Sequence, residues 1–175
     1  MIHITHPAND NDCTLSMHLD DEQDTLDLGA AMASVLAPGL KIWLLGNLGS
    51  GKTTLTRGVL RALGHEGKVK SPTYTLIEPY VVSRLDLYHF DFYRLNSPEE
   101  YLDAGLDEYF SGPGVCIVEW PQHATPYLVA PDLRIQLDPD SCGRQASIQG
   151  TTEKGRTCVS QLLTSLRTSP AQRPD

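Results

Sequence analysis

The chain has 175 residues, 40% of them hydrophobic and 21% charged, with a formal net charge of −8. That size suits one domain with a real core, burying roughly 70% of the surface its unfolded chain would expose. The acidic balance argues against a broad nucleic-acid-binding face, which needs many Lys and Arg contacts to phosphate, and leaves room only for a small basic patch or an intermediary partner.

The four cysteines, Cys13, Cys116, Cys142 and Cys158, are far apart and form no C-x-x-C pair. Neither a zinc site nor a disulfide framework is expected. No apolar run approaches the roughly 20 residues that span a bilayer. MIHITHPANDNDC lacks the basic-then-apolar pattern of a secretory leader. The expectation is a cytoplasmic protein without a membrane segment.

Residues 1–12 are polar and turn-rich, which predicts a flexible extension ahead of a single domain spanning 13–167. Leu15, Met17 and Leu19 alternate with polar residues, the period of a half-buried strand. DDEQDT supplies helix caps, and Leu26, Ala30, Ala33 and Leu36 follow at helical spacing until Pro38-Gly39. Lys41 to Leu45 reads as a short buried strand. Beyond the glycine-rich stretch, Leu55, Val59 and Leu63 mark one helix face, which Gly64 ends.

TLIEPYVV and LDLYHFDFYRL are the next strand candidates. Ser97-Pro98-Glu99-Glu100 predicts a helix start, with acids beside the N-terminal dipole. One helix through Tyr101, Leu102, Leu106, Tyr109 and Phe110 should follow. Val115 to Glu119 is a continuous apolar run ending in an acid, the pattern of a strand covered on both faces. Leu133–Leu137 and Arg144–Ile148 alternate and suggest an antiparallel pair. Val159, Leu162, Leu163 and Leu166 are spaced as a closing helix, and the tail 168–175 should be disordered.

The chemistry lies in Gly46-Asn-Leu-Gly-Ser-Gly-Lys-Thr53, which matches G-x-x-x-x-G-K-[ST] at every fixed position. Glycines let the chain curl so that successive N–H groups face phosphate oxygens, and the following helix adds its dipole. Lys52 would reach the β/γ-phosphates and the Thr53 hydroxyl would ligate Mg²⁺. A strand before and a helix after the loop supply the context the mechanism requires. The fold expected is α/β: a three-layer P-loop NTPase-like fold with a mixed, mostly parallel sheet, late antiparallel strands and flanking helices.

Glu119, at the carboxyl end of VCIVE, would hold Mg²⁺ directly or through water, or position a hydrolytic water. In YHFDFYR, alternation places Phe90 and Phe92 on one face and His89, Asp91 and Tyr93 on the other. Asp91 is then either a functional carboxylate or one end of a local pair with Arg94. Lys70-Ser-Pro-Thr-Tyr-Thr75 is stiffened by Pro72; Thr73 there is either a γ-phosphate sensor or part of a strand-leading turn. Trp120 is a core residue or a ligand neighbour. Arg57, Arg61, Lys68 and Lys70 form a basic cluster, a solvated helix face or a contact for an anionic partner such as RNA. The guanine-reading Asn/Thr-Lys-x-Asp motif is absent, which favours ATP over GTP.

GNLGSGKTTLTRG, VKSPTYTLIEPY, YHFDFYRL and CIVEWP occur in this order, and from about Asp20 to Arg144 the chain resembles the TsaE family. These are small bacterial P-loop ATPases required for threonylcarbamoyladenosine in tRNA, acting with the TsaD and TsaB subunits that transfer the group. The resemblance implies that Leu48, Gly49, Ser50, Gly51, Lys52, Thr53 and Thr54 wrap the phosphates of ATP, and that Thr53 and Glu119 bind Mg²⁺. It implies that Asp91 contacts nucleotide, a metal-bound water or the attacking water, and that Ser71 and Thr73 belong to a switch-like segment. Lys52, Asp91 and Glu119 are the catalytic candidates, with Trp120 beside the nucleotide. Glu22 and Gly143 correspond to positions near the nucleoside. Asn47 departs from the family's usual Asp in G-D-L-G-x-G-K-T. Two other readings remain at this stage: a P-loop kinase acting on a metabolite, and a module in which nucleotide binding alone drives assembly.

Overall fold

The structure, a computed structural model, describes residues 2–8, 13–82 and 84–168. Eight strands form one mixed sheet: β1 (His3–His6), β2 (Thr14–Leu19), β3 (Lys41–Leu45), β4 (Ile77–Val82), β5 (Leu85–Asp91), β6 (Val115–Glu119), β7 (Leu133–Asp140) and β8 (Gly143–Gly150). Their spatial order is β1-β2-β8-β7-β3-β6-β5-β4. The central strands β7, β3, β6 and β5 run parallel, while β4 and the β7-β8-β2-β1 side pair antiparallel.

Three α-helices join strands, α1 (Glu22–Ala33), α2 (Lys52–Ala62) and α3 (Glu99–Asp103), and α4 (Glu153–Thr168) follows β8. Asp21 caps α1, its side chain accepting from the Asp24 N–H. One core, on the side of α1, α2 and α4, contains Leu28, Met32, Leu55, Val59, Val159 and Leu162 with Ile42, Leu44, Leu87 and Ile117 of the sheet. The other contains Phe90, Phe92, Tyr101, Phe110, Cys116 and Val118. Ile117 belongs to the first and its neighbours Cys116 and Val118 to the second, so β6 is covered on both faces. The result is the three-layer α/β arrangement expected from the pattern.

Several sequence expectations need correction. His3–His6 form β1, where polar composition predicts a loose segment; pairing with β2 orders them although only Ile2 and Ile4 lend apolar surface. The single helix expected after Ser97 is broken. Gly105 adopts a left-handed conformation (φ 66°), so α3 stops and a separate 3-10 turn runs Leu106–Ser111. Ala33 of α1 and Leu36 beyond it are buried as expected, but Ala30 is exposed and the buried face also takes in Leu28, Gly29 and Met32. Strand β4 begins at Ile77 because Leu76 has a positive φ of 66°, and β5 stops at Asp91 rather than continuing to Leu95. Of the tail 168–175, only Thr168 lies within the described residues, as the last residue of α4.

Among the described residues no helix is long and apolar enough to cross a membrane.

Candidate functional site

Strand β3 delivers the chain to the centre of the sheet, and the loop 46–51 leads directly into α2. Three of its glycines take positive φ: Gly46 (137°), Gly49 (78°) and Gly51 (106°). At Gly46 space also forbids a side chain, since a Cβ would meet the Leu137 carbonyl and lie 2.6 Å from Ser50 Oγ, whereas one on Gly51 would have to displace the guanidinium of Arg144. Arg144, just inside β8, donates from Nη1 to the Ser50 carbonyl at 3.2 Å and braces the loop from outside. Ser50 Oγ is buried with no hydrogen-bond partner among the described residues.

The Lys52 side chain folds back along the loop. Its Nζ donates to the carbonyls of Gly46 (2.8 Å) and Asn47 (2.9 Å) and lies 4.7 Å from the Trp120 ring centroid. Only 4% of Lys52 is exposed. Burial pulls its ammonium below the ordinary lysine range, against the opposing pull of the Glu119 and Asp91 carboxylates.

Both acids arrive from neighbouring parallel strands. Asp91 and Glu119 are register partners across β5 and β6, so their side chains leave the same sheet face, towards α2. Each is 3% exposed. Glu119 Oε1 accepts from Thr53 Oγ1 at 2.9 Å, joining the end of β6 to the first turn of α2. The Asp91 carboxylate accepts from Ser71 Oγ, from Thr73 Oγ1 (3.2 Å) and from the Tyr93 N–H (2.9 Å). The Ser-Pro-Thr segment is thus tied to Asp91. Arg94 is not its partner; Arg94 Nη2 donates to Tyr74 Oη at 3.2 Å and its guanidinium lies 4.3 Å from the Tyr74 ring centroid.

These groups surround one cleft of about 390 Å³. Leu48 to Thr54 form one wall, Ser71, Thr73 and Asp91 another, and Glu119 and Trp120 a third. Trp120 is half-buried and packs on Tyr93, centroids 5.0 Å apart; it borders the cleft and also rests against the second core.

Two predicted positions lie elsewhere. Glu22 pairs with Arg57 at 3.4 Å and its side chain is 66% exposed. Gly143 opens β8 at φ 113°, where a Cβ would lie 3.0 Å from the Asp20 carbonyl, so its glycine serves a tight turn. Neither lines the cleft. Conversely, Tyr93 lines it and His89 touches Glu119, two positions that strand alternation alone left without a role, and Arg94, weighed as a partner of Asp91, lines the cleft instead. Asn47 is exposed at the loop.

The arrangement can hold a chain of phosphates: curled amides, a buried cation, a hydroxyl–carboxylate pair and a second carboxylate two strands from the loop. A parallel sheet core with such a loop at its carboxyl edge makes this a P-loop-type fold. More narrowly, the chain belongs to the TsaE family, whose model, described as threonylcarbamoyl adenosine biosynthesis protein TsaE, matches residues 19–147. It is 37% identical over 152 residues to a Haemophilus influenzae protein named tRNA threonylcarbamoyladenosine biosynthesis protein TsaE, covering 84% of this chain and 96% of that one. A Nostoc protein of the same name is 39% identical over 135 residues, covering 74% and 82%. The crystal structure of YdiB from Bacillus subtilis superimposes with a TM-score of 0.70 at 31% identity, covering 85% of this chain and 93% of that one.

Proposed function

We propose that this protein binds and hydrolyses Mg-ATP in the cleft, in the cytoplasm, and that this supports the TsaB/TsaD complex in threonylcarbamoyladenosine modification of tRNA. The tRNA would be met through that complex or through the small basic patch of Arg61, Lys68 and Lys70. The observation that carries the nucleotide reading is the 2.9 Å link between Thr53 Oγ1 and Glu119 Oε1, set at the mouth of a glycine loop with a buried lysine.

The donor set fits Mg²⁺. A hydroxyl and a carboxylate are hard oxygen ligands, and this ion takes few groups from protein, keeping waters and substrate phosphates for the rest. Among the described residues no group of three or more His, Cys, Asp or Glu could form an all-protein cage. Thr53 and Glu119 would hold the ion, which when bound offsets charge on the phosphates.

The chain's own groups divide the remaining work. Loop N–H groups and the α2 N-terminus receive the phosphate oxygens, and Ser50 Oγ offers a further donor within the loop. Lys52 supplies a positive charge in a site where burial strengthens it. Asp91, fixed by Ser71, Thr73 and the Tyr93 amide, orients the water that attacks. Trp120 and Tyr93 shield one side. An isolated site of this kind turns over slowly when a partner is needed to complete it.

The test is phosphate release from ATP by the protein alone and with purified TsaB and TsaD. Stimulation by the pair, abolished by Lys52→Ala, supports the reading. Calorimetry that registers no heat with saturating Mg-ATP overturns it.

A further inference from the structure

His89 takes no part in the reading above, yet it is the ring that touches its central carboxylate. It is 0% exposed, two residues before Asp91 on the same face of β5. Its Nε2 is hydrogen-bonded to Glu119 Oε1 at 2.9 Å, the same oxygen that accepts from Thr53. Its Nδ1 is buried with no hydrogen-bond partner among the described residues.

Facing a carboxylate oxygen, Nε2 is the ring nitrogen placed to donate to Glu119. A buried ring nitrogen such as Nδ1 that meets no partner is a defect in packing. A ring kept only to fill space between β5 and α2 would be better replaced by Leu or Phe, which bury no nitrogen. What the histidine adds is the one bond it makes.

That bond has a geometric effect. Thr53 approaches Glu119 from α2 and His89 approaches from β5, and both engage Oε1. The carboxylate is therefore clamped at one oxygen between two separate elements, and neither clamp uses Oε2. Without His89, the strand-end glutamate would be held by Thr53 alone, the residue with which it must also share an ion.

We propose that His89 is a positioning residue for Glu119. It fixes the carboxylate's rotamer so that Thr53 and Glu119 present a ready oxygen pair to a divalent cation accompanying a triphosphate. This rests on the Mg-ATP reading, but the Nε2–Glu119 bond is independent of it.

The experiment compares His89→Leu and His89→Gln with the wild type. The amide nitrogen of glutamine falls close to the position of Nε2 and restores a donor; leucine does not. The Mg²⁺ concentration giving half of the Trp120 fluorescence response at saturating ATP is measured with kcat, KM and thermal melting. His89→Leu should raise that concentration and lower kcat, each about 10-fold or more, the range for groups that orient a metal ligand. KM for ATP should stay within about 2-fold, since the loop is untouched. His89→Gln should recover most of both losses. Wild-type behaviour in His89→Leu, or equal losses in both variants, overturns the proposal.

A nucleotide-free arm separates it from the parent reading. ¹⁵N spectra of the imidazole should show Nε2 protonated, with a resonance that moves in Glu119→Ala. An Nε2 without hydrogen, or no response to Glu119→Ala, also overturns it. If that coupling is present but the wild type gives no response to Mg-ATP, the nucleotide reading fails and the clamp on Glu119 stands.

Discussion

Gly29 of α1 and Gly58 of α2 meet backbone to backbone: a Cβ on Gly29 would lie 2.9 Å from the Gly58 Cα and 2.8 Å from the Val59 nitrogen. On the other side, a Cβ on Gly58 would lie 2.9 Å from the Leu26 Cα. The helix that begins at Lys52 is therefore seated against α1 with no side chain between them. Gly58→Ala gains helix propensity but forces the helices apart, and overpacking of this kind costs about 1–3 kcal/mol. Urea unfolding should show that loss. Because α2 carries Thr53 at its first turn, ATP turnover should fall together with stability, whereas Gly64→Ala, with nothing within 4 Å of its Cβ, should cost only backbone strain at φ 92°.

The buried ammonium of Lys52 makes stability depend on pH in a definite direction. Its native pKa lies below the ordinary lysine value of 10.5, chiefly through burial. Between the two values the unfolded chain holds a proton that the folded chain has released, so this group's contribution rises with pH across that window. Below the native pKa both states are protonated and its penalty is constant. Buried Cys116 and Tyr101 and half-buried Tyr88 act in the opposite sense: Cys116 is pushed up to about 12 and both tyrosines are also raised, so they erode stability at alkaline pH. The difference between wild type and Lys52→Met isolates the lysine. The advantage of Lys52→Met should shrink as pH climbs towards 10.5; an advantage that does not change with pH would contradict the depressed pKa.

Trp120 offers an optical report. The chain has two tryptophans, and Trp43 packs against Arg134 on the sheet, so a Trp43→Phe protein emits from Trp120 alone. The Trp120 ring faces the Lys52 ammonium at 4.7 Å on the cleft wall. Phosphates drawing Lys52 off the Gly46 and Asn47 carbonyls would change that contact, and emission should shift on adding Mg-ATP. Lys52→Ala should remove the response even at high nucleotide. An unchanged spectrum in the Trp43→Phe protein would return Trp120 to a packing role.

How far the sequence announced this arrangement depends on what kind of signal each part left. The loop and its flanking elements were legible because glycine spacing and a buried strand are local patterns. The alternation in YHFDFYR correctly separated Phe90 and Phe92, which enter one core, from His89 and Asp91, which leave the opposite face. Partners across strands were not legible. Asp91 was balanced between Arg94 and a functional role, and the hydroxyls that hold it lie 18 and 20 residues earlier on a loop with no periodicity. Alternation put His89 on the face of Asp91 but named no partner for it, because that partner stands 30 residues later in β6. Strand β1 escaped notice because HITH has too few apolar residues to show a pattern; its order comes from pairing with β2. The face of α1 was legible only in part for a related reason: Ala33 and Leu36 are buried, but Gly29 is buried by contact with another backbone, which hydrophobic spacing cannot register.

Asp91 separates two roles that its contacts allow. It lines the cleft, and it is also the knot that ties Ser71 and Thr73 to the end of β5. If its carboxylate orients water, Asp91→Ala should cut phosphate release by about 100-fold, the scale for removing one preorganised group from a site. Ser71→Ala should then cost only about 10-fold, since Thr73 and the Tyr93 amide still hold the carboxylate. Losing one such hydrogen bond costs about 1 kcal/mol, enough to speed amide exchange in residues 71–76 without unfolding the sheet. Hydrogen exchange by mass spectrometry measures the loop, and phosphate release measures the chemistry. A Ser71→Ala protein as inactive as Asp91→Ala, with a loop equally loosened, would make Asp91 an anchor for the segment, and the water would then belong to Glu119.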